Sequence, residues 1–329
     1  MQFYNGKRIL VTGGTGMIGR PLVEMLIEQG ASVRIASLDD PSRAHPDAEF
    51  KRVNLMRFDD CLEVAKGMDF VFQVAGIKGS PAMTSKKPAS FFVPLILMNT
   101  NMMEAARQAG AERYLFTSTI GVYAPAEVFH EDDVWKTFPS NNDRFAGWAK
   151  RMGELQADAY RIEFGWNNIA IVRPANVYGP FDNFDPKNAM VIPSLIRRAV
   201  DGENPLSVWG DGSPVRDFIH CDDVARGMLL AMEKMPAKPM NLGSGEGVSI
   251  RRIVEIIRDN LDPAPEIKWD TSKPSGDPRR LMDMSYAASV GFKPTVTLEE
   301  GIAGVIAWFR ENRDQVEKRY NVFTADKYV

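Results

Sequence analysis

The chain has 329 residues, which exceeds a usual single domain and predicts one large domain plus a smaller one that share a continuous core. Its 40 basic and 43 acidic residues give a formal net charge of −3 and exclude a broad basic surface for nucleic acid or anionic membranes, and no apolar run reaches the roughly 18 residues of a membrane span. The two cysteines, Cys61 and Cys221, are too few for a disulfide framework, so we expect a reducing compartment, the cytoplasm, and no signal peptide.

Strand-like and helix-like segments alternate through the first half of the chain. Strands are predicted at residues 8–12, 32–37, 69–74, 114–118 and 169–173, and helices at residues 20–29, 98–108 and 149–164. This alternation is typical of βαβ units, whose strands are parallel and whose helices cover both faces of the sheet. The sequence therefore predicts an α/β fold with a doubly wound parallel sheet, the Rossmann arrangement.

The second half is richer in proline and glycine and predicts a smaller, mixed α/β substrate domain. We expect a dinucleotide-binding domain of residues 1–178, to which residues 215–243 return. The smaller domain then comprises residues 179–214 and 244–329. A charged helix over residues 298–320 is expected to be structural, with one face in solvent.

A glycine-rich turn follows the first strand and opens the first helix. Gly13 permits a tight turn, Gly16 lets the backbone approach a pyrophosphate, and Gly19 lets the helix pack closely on the strand. The helix N-terminus adds amide donors and partial positive charge. The turn, with Thr15, Met17 and Ile18 between its glycines, therefore predicts a dinucleotide phosphate site.

The end of the second strand normally carries an acidic residue for the ribose 2′-hydroxyl of NAD. Ser37 stands there, and Arg43 is close enough in sequence to add positive charge. This pattern favours NADP. Asp39 and Asp40 favour NAD if the strand runs two residues further.

Five segments carry a resemblance that covers nearly the whole chain. They are TSTIGVY at 117–123, RPANVYGP at 173–180, DNFDP at 182–186, RDFIH at 216–220 and KPSGDPRR at 273–280. With the glycine turn, they resemble the extended short-chain dehydrogenase/reductase family of nucleotide-sugar epimerases, dehydratases and reductases, above all its GDP-fucose synthase-like 4-ketoreductases. The resemblance implies hydride transfer between a nicotinamide and C4 of a nucleotide sugar.

In that family a hydroxyl residue, a tyrosine and a lysine move the proton that accompanies the hydride. Thr119 matches the hydroxyl residue and Lys150 the lysine, whose charge lowers the pKa of the phenol. The tyrosine should stand four residues before the lysine, on the same helix face, but this position holds Ala146. We therefore interpret the chain as a catalytically impaired tyrosine-to-alanine form, either natural or, as the intact surroundings favour, engineered.

Other family positions also differ. The acidic pair that dehydratases use is replaced by Ile120 and Gly121, and the cysteine and histidine that epimerise C3 and C5 are replaced by Gly121 and Met190. The differences leave redox chemistry at C4 as the predicted reaction. The histidines and cysteines are not spaced as metal ligands, so no metal is expected.

The resemblance implies further contacts. Cofactor contacts are expected from Asn54, Leu55, Ala75, Gly76, Asn99, Lys150 and Pro174, in addition to the glycine turn, Ser37 and Arg43. Substrate contacts are expected from Ser118, Asn176, Lys187, Val191, Arg216 and Arg279. A homodimer is expected through the helices at residues 98–108 and 149–164.

The leading hypothesis is thus a reductase for a GDP-linked 4-keto-6-deoxy sugar that uses NADP. Two alternatives remain open. A nucleotide-sugar 4-epimerase would use the same groups and retain NAD, whereas a nucleotide-sensing binding protein would need no proton donor at position 146.

Overall fold

The computed structural model describes residues 3–77, 79, 81–186, 188–273, 277–317 and 320. The fourteen strands of this part of the chain are β1 Arg8–Thr12, β2 Ser32–Ser37, β3 Glu49–Arg52, β4 Phe70–Gln73, β5 Arg113–Thr117, β6 Val128–Phe129, β7 Ile169–Pro174, β8 Asn176–Tyr178, β9 Leu206–Trp209, β10 Val215–His220, β11 Met240–Leu242, β12 Gly247–Ser249, β13 Ile267–Asp270 and β14 Arg279–Met282. Its α-helices are α1 Gly19–Glu28, α2 Phe58–Ala65, α3 Pro81–Lys86, α4 Pro88–Gln108, α5 Arg144–Phe164, α6 Val191–Val200, α7 Cys221–Lys234, α8 Ile250–Asp259, α9 Ser285–Val290, α10 Leu298–Glu311 and α11 Arg313–Glu317.

A seven-stranded parallel sheet forms the centre of the molecule, in the order β11-β7-β5-β4-β1-β2-β3. The chain proceeds outward from β1 in both directions, which confirms the predicted doubly wound α/β fold. At the switch point Thr12 is paired with Ala36 of β2 on one side and with Gln73 of β4 on the other. The carboxyl ends of these strands therefore meet at one edge of the sheet, where ligands bind in such folds.

Helices cover both faces of this sheet, so its central strands are buried on both sides and mostly apolar rather than alternating. All six residues of β7 are buried. One face packs α1 and α7, through side chains such as Leu22 and Met228, and the other packs α2, α4 and α5, through side chains such as Met102 and Ala157. None of the helices in the described residues combines the length and the hydropathy that crossing a bilayer requires.

The second half of the chain adds a mixed layer beside the sheet. Strands β12, β10, β14 and β6 pair in that order, with β8 beside β10, and β13 pairs with β9. Helices α6, α8 and α10 share an apolar core there, which contains Leu195, Ile253 and Ile306. Strand β11 returns to the main sheet and pairs with β7.

Two helices begin earlier than the sequence pattern predicts. Helix α4 begins at Pro88 instead of residue 98 and continues through Pro94, and α5 begins at Arg144 instead of residue 149. A proline inside a helix costs about 3 kcal/mol. Burial of Phe91 and Leu95 against Ala149 of α5 offsets this cost and keeps the first turns of α4 helical.

The predicted C-terminal helix is wrong in its extent. Helix α10 ends at Glu311, and after Asn312 the short helix α11 changes the direction of the chain. As a result Val316 and Tyr320 line the cleft at the edge of the main sheet. The end of this segment therefore contributes to the candidate site as well as to the core.

Candidate active site

A cleft of about 640 Å³ lies at the carboxyl edge of the main sheet. It is bordered by the ends of β1, β2, β4 and β5, where the switch point of the sheet opens a crevice. Predicted site residues on its wall are Gly13, Thr15, Gly16, Met17, Ile18, Gly19, Ser37, Asn54, Leu55, Ala75, Gly76, Ser118, Thr119 and Lys150. The parallel register thus brings together groups that are far apart in sequence.

The glycine turn has the geometry of a dinucleotide cradle. Gly13 has φ +67°, and a Cβ there would lie 2.9 Å from Cα of Ala75. A Cβ on Gly19 would lie 2.2 Å from the carbonyl oxygen of Gly13, so only glycine permits this approach of α1 to β1. The N-terminus of α1 therefore points into the cleft, where its amides and dipole favour a pyrophosphate.

At the end of β2 the cleft contains a carboxylate. The Thr15 hydroxyl donates to Asp39 Oδ2 at 2.7 Å, and the backbone amide of Tyr320 donates to Asp39 Oδ1 at 2.7 Å. Ser37 lies between them, with its Oγ 2.9 Å from Thr15 Oγ1. Arg43 does not line the cleft, since its side chain is buried beneath it with Nε 3.7 Å from Asp39 Oδ2. The side chain of Arg43 is 1% exposed, and its expected contact with a ribose phosphate stays a prediction.

Thr119 and Lys150 face the cleft at its opposite end, which we call the catalytic end. Thr119 caps a short 3₁₀ turn, and its Oγ1 accepts the amide hydrogen of Gly121 at 3.2 Å. Nζ of Lys150 lies 3.4 Å from Oδ1 of the buried Asn99 and 5.0 Å from the centre of the Phe116 ring. Asn99 is not among the residues that line the cleft, and its expected contact with the cofactor stays a prediction.

Burial of Lys150 changes its acidity. Removal of the ammonium from water lowers its pKa from 10.5 to about 8, and the nearby Glu154 carboxylate opposes this shift. Lys150 is therefore a cation at neutral pH, but a much more acidic one than a surface lysine.

Ala146 lies outside the cleft wall, one helical turn before Lys150. Its methyl group belongs to an apolar cluster with Phe91, Leu95 and Phe145. The ring of Phe145 meets that of Phe92 edge to face at 5.8 Å. The position of the family's tyrosine is therefore occupied by apolar packing.

Behind the catalytic end, a buried ion pair joins α5 to β7. Arg173 donates to both oxygens of Glu154, at 2.9 and 2.7 Å. The Ser118 hydroxyl donates to Glu154 Oε1 at 2.6 Å, although Ser118 also borders the cleft. Tyr123 completes this network, which we call the buried network: it accepts from Arg173 at 3.1 Å and donates to Asn241 at 2.6 Å. Burial raises the pKa of Tyr123, so its phenol does not replace the missing one.

The expected substrate residues lie mostly outside this cavity. Arg279 is exposed, whereas Arg280 is directly beside Arg216 on the neighbouring strand β14. Burial and the charge of Arg280 lower the pKa of Arg216. Arg280 was not among the expected contacts, and alternation along β14 places it inward while Arg279 is exposed; the substrate contacts of Arg216 and Arg279 stay predictions.

Arg280 is already paired with acidic groups. Its Nη2 donates to Asp143 Oδ2 at 2.7 Å, just before the start of α5, and its Nη1 lies 3.8 Å from Asp277. The ion pair between Arg280 and Asp143 connects strand β14 of the mixed layer to the start of α5, the helix that carries Lys150. An anionic ligand beside Arg216 would compete with these carboxylates.

The remaining expected contacts are placed as follows. The Asn176 amide donates to the Asp217 carbonyl at 2.8 Å, Val191 is the first residue of α6, and Pro174 is buried in β7. Lys187 lies outside the described residues. The lining residues that were not predicted include the polar Asp182, Asn183, Asp185, Asn188 and Arg197, and Val316 and Tyr320 near the end of the described chain.

A group of possible metal ligands lies at the start of α7. Ligand atoms of His220, Cys221 and Asp222 lie within 4.8 Å of one another. His220 Nδ1 accepts the amide hydrogen of Asp222 at 3.3 Å and caps the helix, so the proximity follows from the cap.

The comparisons agree with this geometry. Residues 9–243 match the model of the NAD dependent epimerase/dehydratase family. The chain belongs to this family. GDP-L-fucose synthase 1 of Arabidopsis thaliana is 31% identical over 317 residues, 93% of this chain and 94% of that protein. The dTDP-4-dehydro-6-deoxy-D-allose reductase of Streptomyces bikiniensis is 31% identical over 320 residues, 93% and 97% of the two chains.

Solved structures of the epimerase/dehydratase family have the same fold. UDP-glucose 4-epimerase of Thermotoga maritima, solved with UDP-glucose, has a TM-score of 0.82 and 28% identity, and the match covers 93% of this chain and 99% of that one. The predicted family resemblance is therefore confirmed.

We expect Glu154→Ala to destabilise the protein by about 3–5 kcal/mol, because it leaves the Arg173 charge buried without its partner. The double variant Glu154→Leu/Arg173→Met should lose less stability than Glu154→Ala, since both charges are removed. Urea denaturation measures both, with Glu163→Ala on the exposed face of α5 as the control. A loss in Glu154→Ala no larger than in Glu163→Ala would contradict the assignment.

Proposed function

We propose that the protein is a nicotinamide-dependent oxidoreductase that acts at C4 of a nucleotide sugar and reduces a GDP-linked 4-keto-6-deoxy sugar. One observation carries the proposal: Thr119 and Lys150 line the same cleft as the Gly13–Gly19 cradle. A dinucleotide in that cradle supplies or accepts the hydride. The two relatives at 31% identity support this reaction class, since both names describe deoxy-sugar chemistry.

In this proposal, side chains of the protein supply the proton and the hydrogen bond that a carbonyl reduction needs in addition to the hydride. As a carbonyl oxygen gains negative charge, it needs a hydrogen-bond donor and an acid within reach. Thr119 offers a hydroxyl on the cleft wall, and Lys150 offers an ammonium. Ile120 and Gly121 supply no carboxylate for elimination, so a reductase fits better than a dehydratase.

A 4-epimerase is the second candidate, favoured by the similarity to UDP-glucose 4-epimerase. An epimerase must keep its cofactor through both half-reactions, whereas a reductase exchanges it every turnover. Release of cofactor from denatured protein distinguishes the two. Stoichiometric oxidised NAD would favour the epimerase.

We also propose a homodimer through α4 and α5. Their outer surfaces expose large apolar side chains at helical spacing, namely Val93, Leu97, Met152, Leu155 and Ile162. Such a patch is typical of an association surface. A second copy of the chain would cover this apolar patch, as the family resemblance implies.

The cofactor is NADP or NAD, and Asp39 controls the choice in this proposal. Its carboxylate lies in the cleft near the expected ribose and opposes a 2′-phosphate, although Arg43 offsets part of the charge. We expect Asp39→Asn to raise the affinity for NADPH relative to NADH on the order of tenfold, about 1.4 kcal/mol. Calorimetric titration measures the affinities for NADPH and NADH, and the exposed Asp40→Asn is the control. An unchanged ratio would argue against this role.

We expect Arg216→Ala to weaken binding of GDP-4-keto-6-deoxymannose about tenfold to hundredfold and to leave cofactor binding unchanged. The reason is the loss of a charge-assisted contact to phosphate, which contributes about 1.5–3 kcal/mol. The exposed Arg310→Ala on α10 is the control, because Arg279 is itself an expected substrate contact. Equal affinities for Arg216→Ala and Arg310→Ala would refute the phosphate role of Arg216.

We expect Ala146→Tyr to raise turnover by roughly 10²–10⁴-fold, the usual contribution of general acid–base catalysis. The new phenol would stand one helical turn from Lys150 and extend toward Thr119. Ala146→Phe is the matched control, because it adds the ring without the hydroxyl. Stopped-flow rates with 4-keto and 4-hydroxy nucleotide sugars measure the effect. Equal rates in the Tyr and Phe variants would exclude the tyrosine–lysine mechanism.

A further inference from the structure

Lys150 presents an ammonium to the catalytic end of the cleft, although little of its side chain is accessible. Its side chain is 8% exposed and borders the cleft. Two uncharged groups lie next to the Nζ atom of Lys150 in the described part of the chain. Asn99 Oδ1 of α4 is 3.4 Å from Nζ, the centre of the Phe116 ring of β5 is 5.0 Å from it, and neither group titrates. The nearest carboxylate, on Glu154, is engaged by Arg173 and Ser118. A long hydrogen bond to Asn99 leaves ammonium hydrogens available to the cleft.

The other polar groups near this end have different tasks. The Ser118 hydroxyl donates to Glu154, and the Tyr123 phenol donates to Asn241. The Thr119 hydroxyl is placed to donate a hydrogen bond, but an alcohol is far too weak an acid to release a proton near neutral pH. Ala146 has only a methyl group. Among the described residues at the catalytic end, Lys150 is therefore the one group that can give up a proton.

We propose that Lys150 is itself the proton donor in this chain and transfers a proton from its ammonium directly to the sugar oxygen at C4. The inference rests on the proposed reductase function. In the step, hydride from the reduced nicotinamide forms a C–H bond at C4 while the carbonyl π electrons move to oxygen. The oxygen takes a proton from Nζ, which leaves an alcohol, oxidised nicotinamide and a neutral amine that solvent reprotonates.

The electrostatics of the site support this role. A lysine is usually too weak an acid for such a transfer, but burial lowers the pKa of Lys150 to about 8. General acids work best when their pKa lies near the working pH. In the family's arrangement the lysine cation lowers the pKa of a phenol, whereas here the small Ala146 leaves no such group between the ammonium and the sugar.

The test uses NADPH and NADH with two probes, GDP-4-keto-6-deoxymannose and dTDP-4-keto-6-deoxyglucose, in single-turnover reactions at saturating cofactor. We expect the unmodified protein to reduce one probe slowly, with a rate that falls about tenfold per pH unit above pH 8. Lys150→Met should be slower by roughly 10²–10⁴-fold. Lys150→Arg keeps the charge but not the acidity, and it should be nearly as slow.

Chemical rescue separates proton transfer from positioning. Small primary ammonium ions should restore the rate of Lys150→Ala, and more acidic ones should restore it more. Rescue of this kind is not expected if Lys150 only orients the cofactor. An unchanged rate in Lys150→Met, or a Lys150→Ala protein that no amine rescues, would overturn the proposal.

The outcome for Ala146→Tyr distinguishes this inference from the proposed function. Activity in Ala146→Tyr with none in the unmodified protein would overturn the role of Lys150 as donor but leave the reductase function intact. Failure of both forms to reduce either probe would overturn the reductase proposal and the inference with it.

Discussion

The ion pair between Glu154 and Arg173 is the constraint on which the candidate site depends. It joins α5 to β7 with both side chains almost fully buried, and it also receives a hydrogen bond from the Ser118 hydroxyl at the end of β5. Because the carboxylate and the guanidinium satisfy each other there, neither can move without leaving a buried charge. Lys150, one turn before Glu154, is thereby held beside the strand end that carries Thr119.

Close packing at two glycines also fixes the position of α5 relative to the sheet. A Cβ on Gly147 would lie 2.3 Å from the carbonyl oxygen of Gly121, and one on Gly153 would lie 2.3 Å from the Phe116 ring. The two glycines thus let α5 approach the sheet more closely than any other residue would. This approach buries Lys150 against Phe116, and burial in turn determines its acidity.

Local sequence patterns predicted the main sheet and the glycine turn. They did not predict the side-chain positions that depend on tertiary packing. The parallel sheet and the glycine turn follow from strand–turn–helix order and motif spacing, whereas Thr119 and Lys150 are predicted because they match positions of the family that the sequence resembles. The burial of Arg43 and the exposure of Arg279 depend on side-chain direction, which spacing alone does not give. The contact of Tyr320 with Asp39 joins residues 281 positions apart, and no local signal predicts it.

The ion pair of Arg280 with Asp143 adds a threshold to ligand selection. A cation that already has an internal carboxylate exchanges it only for a stronger anion, so a weakly charged molecule gains little by entering. In the proposed function, a diphosphate beside Arg216 would meet this competition with more than one negative charge, whereas a neutral sugar would not displace Asp143 from Arg280.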